Sequence, residues 1–170
     1  NEENLAALDA ASRAASSWGP FVEAVEARLA AKDKEALEPA LERQLRMRLA
    51  NAYARELGKI DEAVVSYRAL IEADPKDEET LQEFDALLRG AERKDDLRWL
   101  FDLRIKTADA DKRARIYDEW ATLEEDVFGN PREAIKLYEK AAELDPHRTE
   151  TLKSLSRLLL AEGEHAQAAA

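Results

Sequence analysis

The chain has 170 residues, with 37 acidic against 26 basic side chains for a net charge of −11, and with no cysteine, five glycines and five prolines. Its 32 Ala and 23 Leu against five Val and five Ile exclude an all-β fold, and so little Pro and Gly excludes a disordered or collagen-like chain. Without cysteine there is no disulfide framework or thiolate metal site, two histidines exclude a histidine-rich one, and the acidic balance disfavours direct nucleic-acid binding.

In chain order, apolar residues at helical spacing predict helices near 2–17, 20–31, 39–57, 60–73, 77–90, 94–108, 111–128, 131–144, 148–162 and 164–170. Leu41, Leu45, Leu49, Ala52, Tyr53 and Leu57 form one stripe. Leu81, Phe84 and Leu88 form another, followed by Ile116, Trp120, Leu123 and Val127, and then by Leu152, Leu155 and Leu159. The longest apolar runs reach four residues, as in Leu158–Ala161, far short of the roughly 20 that span a membrane. Asn1-Glu2-Glu3 is acidic where a secretory signal starts basic.

Glycines divide these helices. Gly19, Gly58, Gly129 and Gly163 each precede an alanine by five residues, at spacings of 39, 71 and 34. The long interval holds two units, so a fifth turn is expected near Glu92–Leu97, with its glycine displaced to Gly90. Ala63-x3-Tyr67 before Asp74-Pro75 and Ala134-x3-Tyr138 before Asp145-Pro146 repeat after 71 residues. Each glycine suits a left-handed helix end, and each Asp-Pro stops the helix before it. The chain is thus expected to be one array over 1–170, with units of about 2–31, 39–75, 77–108, 111–146 and 148–170. It ends inside a unit, as a piece of a longer protein would. A lone hairpin cannot bury its apolar stripe, whereas stacked hairpins can.

These residues resemble the tetratricopeptide repeat. Leu49-Ala50-Asn51-Ala52-Tyr53, Gly58, Ala63, Tyr67 and Pro75 match its pattern in the second unit. Trp120-Ala121, Gly129, Ala134, Tyr138, Ala141 and Pro146 match in the fourth. Both units carry one residue more before the turn glycine than the common pattern, and in the third Leu97 replaces the signature alanine. Trp120-Ala121-Thr122-Leu123-Glu124 with Tyr138-Glu139-Lys140-Ala141 is also similar to the half-a-tetratricopeptide repeat, although Ile135 stands where that family prefers Arg. The resemblance implies an all-α, right-handed superhelical solenoid of about five helix-turn-helix repeats. It implies a non-enzymatic protein–protein interaction scaffold that assembles complexes and binds a peptide or helical segment in its concave groove. An RNA-processing scaffold, or the accessory repeat region of a larger enzyme, is the alternative.

No constellation for catalysis, cofactor or metal binding stands out. Glu124-Glu125-Asp126 reads as a solvated charge run, because consecutive helical side chains diverge. His147 and His165 read as surface or capping residues. Trp99-Leu100-Phe101 cannot all face one side of a helix, so one is expected at the surface. Arg48, Asn51 and Arg55, at i, i+3 and i+7, share a helix face beside the apolar stripe. With Gln82, Arg89, Arg115, Lys153 and Arg157 further along, they form the candidate groove, and arginine forks suit a peptide carboxylate or acidic side chain. Asp118 and Glu119 interrupt the basic track. Leu152, Leu155 and Leu159 have only part of their cover, which makes self-association through the terminal helices an expectation. A cytoplasmic setting is expected, and the absence of cysteine fits a periplasmic one as well.

Overall fold

The computed structural model describes residues 7, 10–12, 17–31 and 38–168, with backbone alone at 164–168. The expected first helix, 2–17, lies largely outside the described residues, and those at 7 and 10–12 are helical. The remaining helices are α1 (Gly19–Ala30), α2 (Pro39–Asn51, continued by a π-helical turn over Ala52–Glu56), α3 (Ile60–Ala73) and α4 (Glu78–Gly90). They are followed by α5 (Lys94–Thr107), α6 (Ala110–Asp126), α7 (Pro131–Leu144) and α8 (Thr149–Ala168). The fold is an all-α array of helical hairpins. Two compact units divide it, Asn1–Ala91 and Glu92–Ala170.

In the first unit, α1, α2 and α3 close around Phe21, Val22, Val25, Leu45, Leu49, Ala52, Tyr53 and Ala63. Tyr67 of α3 stacks on Phe84 of α4 with ring centres 5.3 Å apart. In the second, α6, α7 and α8 bury Ala121, Ala134, Leu137, Tyr138 and Leu158, and Phe101 of α5 stacks on Trp120 of α6. Each large side chain so buried contributes about 1.5–3 kcal/mol. The alanines at the contacts (Ala63, Ala121, Ala134, Ala141) are fully buried. They hold the helices close, and a larger side chain there would overpack the core.

The extra residue of the second and fourth units has a definite home. Leu57 N–H donates to Ala52 O at 3.0 Å and Lys59 N–H to Tyr53 O at 2.9 Å. Seventy-one residues on, Phe128 N–H donates to Leu123 O at 3.1 Å and Asn130 N–H to Glu124 O at 2.7 Å. These bonds reach back five and six residues, so the last turn of each helix widens to take up the insertion. Gly58 (φ 63°) and Gly129 (φ 64°) then reverse the chain in left-handed geometry. The Asp-Pro turns repeat as well, since Asp74 accepts from Lys76 N–H and Asp145 from His147 N–H.

Three expectations are corrected. Gly90 is the last residue of α4 and not a turn. The reversal falls on Glu92, which takes φ 53° two residues before α5 begins, as Gly58 and Gly129 do before α3 and α7. Gly163 is no turn either, because α8 runs unbroken from Thr149 to Ala168 in place of helices 148–162 and 164–170. One glycine costs a helix only about 1 kcal/mol, which flanking helix formers offset. The third concerns Glu124, described with the candidate site.

Candidate partner-binding face

Arg48 and Asn51 project from the last turn of α2, and Arg55 from the widened turn that follows. Together with Trp18, Phe21, Ala52 and Glu56 they line one cleft of about 300 Å3. Its apolar floor exists because Trp18 packs edge-on against Phe21, ring centres 5.5 Å apart, at the entrance of α1. Asn51 is held in place. Its Nδ2 donates to Glu83 Oε2 at 3.2 Å, and its Oδ1 accepts from the Tyr67 hydroxyl at 3.4 Å. That hydroxyl also donates to Glu83 at 3.0 Å. Burial, with the Glu83 charge beside it, raises the Tyr67 pKa above its ordinary value, so the hydroxyl stays a donor.

Ion pairing separates the candidate cations. Arg89 forks onto Asp85 at 2.5 and 3.2 Å. Lys153 pairs with Glu150 at 2.8 Å, and Arg157 reaches Glu125 at 2.6 Å. Arg48, Arg55 and Arg115 form no ion pair with any described carboxylate, and Gln82 is exposed on α4. Of the eight residues, the structure therefore brings Arg48, Asn51 and Arg55 to one cleft. It spends the charge of Arg89, Lys153 and Arg157 on neighbours. Asp118 accepts from Arg148 Nη2 at 3.1 Å and from Thr151 Oγ1 at 2.6 Å, so it ties α6 to the start of α8.

Glu124 is the residue that sequence reasoning missed. Far from being solvated, its side chain is 0% exposed. It accepts from Arg98 at 2.7 and 2.9 Å, from Trp120 Nε1 at 3.1 Å and from Asn130 Nδ2 at 3.4 Å. Burial alone would raise its pKa. Arg98, followed by the Trp120 hydrogen bond, outweighs that and holds the carboxyl below its ordinary range. A signal was present, since Glu124 lies 71 residues after Tyr53, in the register of a buried signature aromatic. Glu125 is paired with Arg157, and Asp126 is exposed. Of Trp99-Leu100-Phe101, Leu100 and Phe101 are buried and Trp99 is half-exposed. His147 is exposed in the turn before α8, and the side chain of His165 lies outside the described residues. Among the described residues no three His, Cys, Asp or Glu side chains converge as metal ligands, and no helix is long and apolar enough to cross a membrane.

Fold and face together define a helical-hairpin repeat protein whose first unit carries an arginine-bordered cleft. Family models described as tetratricopeptide repeat match residues 44–77 and 128–170. Among solved structures, the crystal structure of MamA matches at 16% identity with a TM-score of 0.48, covering 89% of this chain and 82% of that one. No curated protein matches. The chain thus carries tetratricopeptide repeats over these two stretches, within an all-α array of helical hairpins, and is in general terms a protein-interaction scaffold.

Proposed function

We propose that the protein is a non-enzymatic scaffold for assembling a multiprotein complex, and that it captures a peptide or helical segment of its partner at the cleft of the first unit. Arg48 and Arg55 serve as forks for acidic side chains or a carboxylate, Asn51 as a fixed polar contact, and Trp18 and Phe21 as the seat of an apolar side chain. The observation that carries this reading is that these two arginines flank an aromatic-floored cleft without a carboxylate partner among the described residues. In so acidic a chain most of the described cations are drawn into ion pairs, so two at one cleft that pair with no described carboxylate favour an anionic segment. Gln82 and Arg115 are kept as secondary contacts. Arg89, Lys153 and Arg157 are ancillary, since a partner would first have to displace Asp85, Glu150 and Glu125.

The test uses a labelled acidic peptide that carries one aromatic side chain, titrated against wild type and the Arg48→Glu, Arg55→Glu double variant. Wild type should bind, more weakly as salt rises, and the double variant roughly tenfold or more weakly. Arg89→Glu should leave binding nearly unchanged. Equal binding by wild type and double variant would falsify the assignment.

A further inference from the structure

We infer, resting on capture at the first-unit cleft, that the captured segment is an amphipathic helix with an acid and a base two turns apart, and that Glu56 is the residue that selects the base. Arg48, Ala52 and Glu56 line the cleft with Trp18 and Phe21. They fall at i, i+4 and i+8, so they follow one another along one face over two turns, roughly 11 Å. A helix laid along that face offers its own i, i+4 and i+8 residues at the same pitch. Its acid meets Arg48, its apolar residue sits on Trp18 and Phe21, and its lysine or arginine meets Glu56.

The fold gives Glu56 no described partner. Its side chain is exposed and forms no ion pair with any described cation. It stands in the last turn of its helix, where a carboxylate opposes the helix dipole. Seventy-one residues on, Val127 fills the same place at the other widened turn and is 60% exposed, so the turn forms without a charge there. Arg48, Asn51 and Arg55 likewise give way to Glu119, Thr122 and Asp126. The polar lining of the cleft is therefore peculiar to the first unit and is not dictated by the repeat. Arg55 precedes Glu56 by one residue, and successive helical side chains diverge, so the two do not close on each other. One end of the cleft thus carries Arg48, and the other carries Arg55 and Glu56 side by side. An all-acidic segment that satisfies Arg55 sets a like charge against Glu56. A segment with one cation at that end leaves no charge of the cleft opposed.

The test uses three labelled helical peptides with an aspartate, an aromatic residue four positions on, and lysine, glutamine or glutamate eight positions on. Each is titrated against wild type, Glu56→Gln and Glu56→Lys. Wild type should prefer lysine to glutamine and glutamine to glutamate, by roughly threefold per step, the size of a solvent-exposed ion pair. The steps should narrow as salt rises. Glu56→Gln should bind the lysine and glutamine peptides nearly alike, and Glu56→Lys should reverse the order. Glu56 is exposed, so both variants should keep the helical circular dichroism. Equal binding of the three peptides by wild type overturns the inference. So does a lysine advantage that survives in Glu56→Gln, because the net charge of −11 would then be its source. Both results leave the cleft itself standing if Arg48→Glu, Arg55→Glu still weakens the glutamine peptide. Failure of wild type to bind any of the three overturns both readings.

Discussion

Tyr53 and Glu124 occupy the same place in two regions of the molecule and solve one problem with opposite chemistry. Both end a helix whose widened turn makes the same pair of backbone bonds, and both are buried. Each reaches the preceding helix of its own unit, Tyr53 donating its hydroxyl to Glu26 of α1 and Glu124 accepting from Arg98 of α5. Carboxylate and donor have changed sides. In these two units the place therefore combines burial with a polar link between helices and does not fix a residue type, whereas Leu88 at the corresponding place of α4 is simply buried. The two solutions differ in what failure costs. Tyr53 is neutral, with a pKa raised by burial and then by the Glu26 hydrogen bond, so losing its partner strands a hydroxyl. Losing Arg98 strands a charge.

The largest expected effect tests that difference directly. Arg98→Ala should destabilise the second unit by about 3–5 kcal/mol, because it leaves Glu124 buried and unpaired. Glu26→Ala should cost the first unit only about 1 kcal/mol. Urea denaturation followed by tryptophan fluorescence measures both, and equal costs would break the comparison. Next comes acid. The Glu124 carboxyl is lowered in the folded chain, so its contribution is complete above the ordinary glutamate value of 4.5. It drains away as pH falls through the folded value. Stability of the second unit should fall across that window, and the slope should flatten in the Arg98→Met, Glu124→Leu pair. If the slope is unchanged, Glu124 is not its source. The smallest effect concerns the turns. Glu92→Gly should stabilise by about 1 kcal/mol by relieving left-handed backbone, and Gly129→Ala should destabilise by about as much. No atom lies within 4 Å of a Cβ at Gly129, so strain alone sets the size.

The hairpins were legible because helical periodicity, turn glycines and Asp-Pro stops are local signals. The 71-residue echo of Gly58-x4-Ala63 in Gly129-x4-Ala134 marked the units before any contact was known. Glu92 was not legible, because left-handed backbone at a glutamate leaves no trace in composition. Gly163 misled because a glycine permits a turn without requiring one. At the site, the shared face of Arg48, Asn51 and Arg55 followed from helical spacing. Arg89–Asp85 and Lys153–Glu150 were within reach of the same i, i+3 and i+4 rule. Arg157–Glu125 and Asn51–Glu83 span 32 residues, and only the packing of one helix beside another brings them together.

The two widened turns make the stretch between them interchangeable. Residues 53–123 begin and end at equivalent points of the same backbone geometry, with Ala52 and Leu123 accepting matching bonds. That stretch is a 71-residue cassette whose seams are already compatible. A gene that copied it in tandem would meet at the new junction a bonding pattern the chain makes twice already. Lengthening by whole cassettes is therefore easier for this protein than lengthening by single repeats, whose ends differ by one residue.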